Sequence, residues 1–204
     1  MTNSENNKKY PKIFLIILFF YLSGIIITTI HEIGHLLWGY LDGCKNASIE
    51  VYFNFHGLMT CSDPDFKFSN DVGFASNGFV TTTVVGIVVF ILYKTTKCEK
   101  NYLVPLFLFL LSFFSLSTLI YNIPVDSLLF KGDIVDILNI YKINNVLFSA
   151  TTFAILLPFF YVFIKEFPVL LKNMKVIRKG EERKSAITFT MFIAAMIILM
   201  LLGF

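Results

Sequence analysis

Residues 13–41 read IFLIILFFYLSGIIITTIHEIGHLLWGYL, and the reading of this stretch decides the fold. From Ile13 to Ile30 only Ser23, Thr28 and Thr29 break the apolar run, which passes without a stop through His31-Glu32-Ile33-Gly34-His35 to Leu41. About 20 apolar residues cross a bilayer as a helix, so the run predicts a membrane span with ionisable groups inside it. Such groups are costly at membrane depth and mark function. Positions four apart lie one above the other on a helix, so His31 and His35 can direct ring nitrogens at one ion. Glu32 lies about 100° round the helix from His31 and reaches a water beside that ion without being a ligand, as a general base must. Gly34 leaves room beside them. The plainer alternative is a pair of polar residues satisfied inside a bundle, but the chain has only three histidines and two fall here at ligand spacing. A helix from Lys12 to Asp42 is about 45 Å long and puts His31 about 28 Å from Lys12. The ion would therefore lie inside the bilayer, nearer the Asp42 end, with Trp38 and Tyr40 at the interface and Gly43 as a helix stop.

The whole chain agrees with that start. Its 204 residues are 56% hydrophobic and 15% charged, far more apolar than a soluble domain. The expected fold is an all-α polytopic membrane protein of about five transmembrane helices, with a small β-hairpin after the first. The lipid bilayer is its surroundings, and no nucleic-acid motif is present. Cys44, Cys61 and Cys98 are odd in number and lack zinc-ribbon spacing. Cys44 and Cys61 are able to pair, and spacing alone does not decide between a disulfide and free thiols.

Residues 1–11 are expected to be a mobile polar tail, and 12–204 a single membrane-embedded domain with its core in 12–141. The first span has too long an apolar run for a signal peptide and shows no cleavage site, so it is expected to stay in the mature protein. Ser48 to Phe55 alternates with period two and predicts a strand, His56-Gly57 a turn, and Leu58 to Cys61 a return strand. A turn histidine is more often solvated than a ligand, so His56 is a minor candidate for the ion. Val72 to Tyr93 is the second expected span, with Gly73, Gly78 and Gly86 as small packing faces. Tyr102 to Tyr121 is the third, ending at Asn122-Ile123-Pro124. Residues 125–145 hold a short amphipathic helix near Gly132-Asp133, and 146–164 form the fourth span, kinked or broken near Pro158. A basic linker over 165–184 leads to a fifth span over 185–204.

Catalytic zinc takes three protein ligands and keeps a fourth position for water. His31 and His35 are two of them. The third is sought among Asp126, Asp133 and Asp136, which follow a span that must return to the motif's side of the membrane. Asp133 is preferred because it opens a short helix, where backbone N–H groups favour a charged carboxylate. The plain role of each aspartate is a helix cap or a solvated loop residue.

With these residues in view, the chain resembles the site-2 protease family of intramembrane zinc metalloproteases. The residues carrying the resemblance are His31 to His35, the hairpin 48–61, Ser76-Asn77-Gly78, and Asn122-Ile123-Pro124 followed by Gly132-Asp133. Two features depart from the family pattern: Asn122 and Pro124 stand one residue closer, and Ile134 follows the aspartate in place of glycine. No inserted PDZ-type domain is present. The resemblance implies a Zn²⁺ cofactor held by His31, His35 and Asp133, with Glu32 as base and a membrane protein or signal peptide as substrate. It implies that Asn122 stabilises the oxyanion or holds the substrate backbone, against a plain role as a helix-end cap.

Two readings of another class compete. One is a non-proteolytic binding or immunity factor of the same fold, against which the intact Glu32 argues. The other is a metal transporter, which would need ionisable groups in the fourth and fifth spans, where there are almost none. Orientation follows from charge. With five spans, 13 of the 17 basic residues fall beside the N-terminus, between spans two and three, or between four and five. The positive-inside rule then puts the N-terminus in the cytoplasm and the hairpin outside, in a multi-pass protein expected in the plasma membrane. Oligomeric state is left open.

Overall fold

The computed structural model describes residues 3–53, 55–67, 71–96, 102–129, 133–177 and 179–201, without the side chains of 3–10, 71, 120–122, 136, 192–193 and 195–201. Helix α1 runs Asn3–Leu41 with Pro11 inside it. The polar segment expected as a tail is therefore helical from Asn3. Residues added to an existing helix pay no new nucleation cost, which offsets their modest propensity.

Strands β1 (Ala47–Val51) and β2 (Gly57–Cys61) pair antiparallel with Ile49 opposite Met59. The first strand stops at Val51, short of the expected Phe55. The turn comes earlier than His56-Gly57: Tyr52 N–H donates to the His56 carbonyl at 2.8 Å, Phe55 N–H donates to Tyr52, and Phe55 takes a φ of 65°. The alternation persists beyond the strand because Phe55 packs inward, its ring 5.3 Å from Tyr21 and 6.0 Å from Phe114. Asn54 lies outside the described residues.

The hairpin folds back along one stripe of α1. Tyr21 Oη donates to the Phe53 carbonyl at 2.9 Å and Thr28 Oγ1 to the Phe55 carbonyl at 3.2 Å. A Cβ on Gly24 would lie 2.5 Å from the Phe55 ring, so only glycine admits that ring. Tyr21 to Gly39 covers about 27 Å of helix, and the hairpin thus lies beside apolar α1, where hydroxyls take the place of water at its carbonyls.

Helix α2 is Asp71–Thr95 and α3 is Leu103–Ile120. The chain does not leave the bundle at Asn122-Ile123-Pro124 as expected. It passes through a π-turn, Tyr121–Val125, into the short α4, Asp126–Leu129, and one apolar stretch extends from Leu103 to Leu129. A wider turn tolerates Pro124, which has no N–H to donate. Ser149 Oγ takes up its carbonyl at 2.6 Å. Helix α5, Asp133–Ile140, is the expected amphipathic helix and is pinned by Ile134, Val135 and Leu138 against Phe79 of α2.

Helix α6 runs Asn145–Asn173 through Pro158 and Pro168. It is neither broken at Pro158 nor ended at Lys165, and the basic connection shrinks to 174–181. In lipid no water is present to take a freed carbonyl, which favours continuity. Helix α7, Glu182–Leu201, packs Phe189 at 4.1 Å on Phe167 and at 5.4 Å on Phe113.

Four helices among the described residues are long and apolar enough to cross a membrane, at Pro11–Leu41, Val72–Thr95, Leu103–Leu129 and Asn145–Asn173. The expected fifth, 185–204, is not among them: α7 spends its first turn on Glu182, Arg183 and Lys184, and 202–204 lie outside the described residues. The basic ends do meet. Lys12 Nζ donates to the Met174 carbonyl at 2.7 Å and lies over the Tyr102 ring, Lys94 pairs with Glu166, and Lys172 pairs with Glu182 at 2.9 Å. The Lys172 hydrogen bond holds the Glu182 carboxyl down to about 2. The hairpin base and α5 are attached to the opposite helix ends.

Candidate metal centre

Helical spacing stacks His31 and His35 on one face of α1, their ring centres 4.8 Å apart and both rings buried. Their Nε2 atoms are 3.1 Å from each other. Asp133, the first residue of α5, brings Oδ2 to 3.4 Å from His31 Nε2 and 3.1 Å from His35 Nε2. A tetrahedral ion with bonds of about 2.0–2.1 Å needs ligand atoms about 3.3–3.4 Å apart. The three edges fit.

The donor chemistry fits as well. His35 Nδ1 lies 2.8 Å from the Phe74 carbonyl. A carbonyl only accepts, so Nδ1 carries the proton and Nε2 turns a lone pair inward, the outer-shell arrangement that orients a metal-binding imidazole. Lone pairs from His35 and Asp133 and the Nε2 of His31 meet at one point, which a cation satisfies. Asp133 brings a carboxylate against both imidazoles, and the ionised form is the one that ligates a cation. His31 Nδ1 is buried without a protein partner. The Asp133 side chain is 34% exposed while those of the histidines are 10% and 4%, so the cluster is reached past Asp133.

Glycines make this approach possible. A Cβ on Gly78 would lie 2.6 Å from His35 Nε2 and 2.7 Å from His31 Nε2, so α2 lies directly against the imidazoles. A Cβ on Gly34 would lie 2.7 Å from the Asn77 carbonyl, and Asn77 Nδ2 donates to Gly34 O at 2.5 Å across the same seam. In the sequence Gly78 stands out as a small packing face and as part of the Ser76-Asn77-Gly78 segment of the family pattern. Nothing in its neighbours signals that its missing side chain faces the histidines.

Glu32 is buried under β2. A Cβ on Gly57 would lie 2.5 Å from its Oε1, and the Met59 backbone amide faces the carboxylate. This cover is invisible in sequence. Cys44 and Cys61 form a disulfide with Cα atoms 6.1 Å apart, which decides what spacing left open. Asp63 caps the hairpin base, accepting from Lys45 N at 2.6 Å, and that bond holds its carboxyl below the usual range.

Of the alternatives, His56 is exposed on the hairpin, and neither it nor Asp126 joins the cluster of His31, His35 and Asp133. The side chains of Asp136 and Asn122 lie outside the described residues; the Asn122 backbone belongs to the π-turn.

Bundle, hairpin packed along α1 and a His–His–carboxylate triangle with an adjoining glutamate define a polytopic helical membrane protein built around a candidate metal centre. The Peptidase M50B-like family model matches residues 13–185, and the chain belongs to that family, in keeping with the site-2 protease resemblance. No curated protein and no solved structure matches it.

Proposed function

We propose that the chain is an intramembrane zinc metalloprotease that hydrolyses peptide bonds in or near transmembrane segments of membrane proteins or signal peptides. The observation that carries this reading is the convergence of His31 Nε2, His35 Nε2 and Asp133 Oδ2, with the Glu32 carboxylate on the next helical position. His31, His35 and Asp133 would hold the metal. A zinc ion there supplies Lewis acidity, bringing a water's pKa near 7 and polarising a carbonyl. Glu32 takes the proton from the attacking water and delivers it to the departing amine nitrogen. Burial of Glu32 under β2 keeps bulk water from competing for that proton. Asn122, through the family pattern, stabilises the developing oxyanion or holds the substrate backbone.

A transmembrane substrate hides its peptide bonds in its own helix and must unwind before cleavage. The hairpin register supports a docking edge for the unwound segment. Backbone bonds at the 46/62 and 52/56 pairs set the alternation, so Ile49 and Val51 turn their N–H and C=O groups to the outer edge of β1. An extended segment can pair there. The disulfide supports the orientation read from charge, since such bonds persist on the oxidising side of a cell membrane.

The test is zinc content together with cleavage of a membrane-tethered reporter by the native chain and by Glu32→Gln. The native chain should hold about one zinc and cleave; Glu32→Gln should hold the same zinc and not cleave. Full activity of Glu32→Gln would remove the mechanism.

A further inference from the structure

A residue that acts as base must be held within a fraction of an ångström of its working position. Glu32 sits on a rigid helix, but its carboxylate is fixed from outside that helix. Gly57 lies against Oε1, and the register turns the Met59 amide away from β1, on the side of the carboxylate. Both belong to β2, a strand of five residues in a two-stranded sheet. So small a sheet is marginal without further support, and the support here is placed at one point. Two residues beyond Met59, Cys61 is joined to Cys44, which is buried and lies three residues past Leu41, the end of α1. Cys44 N–H donates to the Gly39 carbonyl at 2.9 Å. The Met59 side chain packs on Gly39, where a Cβ would collide with its terminal methyl. Gly39 and Glu32 are seven residues apart and face the same side of α1. A closed path thus runs from the disulfide through Gly39 and Met59 to Glu32.

From this path we infer that the Cys44–Cys61 disulfide is a redox-controlled positioning element for Glu32: oxidised, it holds β2 over the base, and reduced, it releases β2 and lowers turnover while the metal ligands stay in place. The inference rests on the proteolytic reading. None of the three metal-ligand candidates is on the hairpin, since His31 and His35 are held by α1 and α2 and Asp133 by α5. Zinc retention and base position are therefore separable. The reductant is a dithiol, whose thiolate attacks Cys61 Sγ. Cys44 leaves as a thiolate and takes a proton; the second thiol of the reductant then breaks the mixed disulfide, closing the reductant's own disulfide and releasing Cys61 as a thiolate that takes the second proton, so that two electrons pass to the protein.

The experiment uses the full chain in lipid nanodiscs, with the membrane-tethered reporter, before and after treatment with dithiothreitol and again after reoxidation by diamide. Reduction should lower kcat on the order of 10²-fold, the usual cost of a misplacement of about 1 Å. KM and zinc content should change little, and reoxidation should restore turnover. Hydrogen exchange at the Met59 amide, which needs no activity, should quicken on reduction and slow again on reoxidation. Oxidised Gly57→Ala, whose Cβ displaces the carboxylate, should lower kcat with zinc retained. Unchanged kcat and unchanged Met59 exchange on reduction would overturn the inference, and so would loss of zinc in step with activity, which would mean general unfolding. An oxidised protein that holds zinc but never cleaves, while its Met59 exchange still answers to reduction, would sink the proteolytic reading and leave the tether standing.

Discussion

Gly78→Ala gives the sharpest test of the metal centre, because it perturbs the ligands without touching them chemically. The added methyl would lie 2.6 Å from His31 Cε1, 2.6 Å from His35 Nε2 and 2.7 Å from His31 Nε2, against 3.4 Å for ordinary contact. Relief requires α2 and the two rings to part by about 0.8 Å, the difference between 3.4 and 2.6, whereas ligand distances in a working site hold to within about 0.2 Å. Neither ring can swing clear, since His35 is held by Phe74 O and His31 packs 5.2 Å from Phe79. Loss of a mere outer-shell partner weakens metal binding by about 10–100-fold, so displacement of two ligand rings should reach at least the upper figure. The assay is zinc retained after dialysis against graded free-zinc buffers. Gly86→Ala is the comparison: its Cβ would lie 2.8 Å from Ser115 Oγ, straining the α2–α3 contact two turns away from the ligands. It should keep zinc. Native zinc affinity in Gly78→Ala would refute the reasoning.

Asp133→Ala should lose zinc to the same extent as His35→Ala, while Asp126→Ala keeps it; metal analysis of the three decides the third ligand. Leu138→Ala removes the 1%-exposed anchor of α5 at a cost of about 2–5 kcal/mol, and should lower both thermal stability and zinc occupancy although residue 138 is no ligand. Orientation can be read with single thiols in a Cys98→Ser background that keeps the disulfide. Asp65→Cys, in the exposed loop after β2, should react with an impermeant reagent in intact cells, and Lys179→Cys only after lysis. The reverse pattern would invert the topology.

Much of this protein is legible along the chain because membrane helices and an HExxH run are local patterns. Apolar length gives four of the five expected spans, four-residue spacing stacks His31 and His35, and period-two alternation gives the hairpin, each from forces acting within one segment. The limits of local reading are equally specific. Pro124 and Pro158 look like breaks because a proline removes a hydrogen bond, yet the bundle carries the helix past both. The alternation through Phe55 looks like strand because an inward-packing loop residue has the same pattern as a strand residue.

What the residues determined by themselves was the class of protein, the motif and three aspartates within reach. Tertiary structure decided that Asp133 stands against both imidazoles, because that depends on α5 docking on Phe79 some 50 residues away in sequence. It decided that Cys44 meets Cys61, and that Gly78 and Gly57 are the faces against which histidines and glutamate lie. A glycine's neighbours are set by how closely two elements approach, and that distance is a property of the packed bundle and of no single segment.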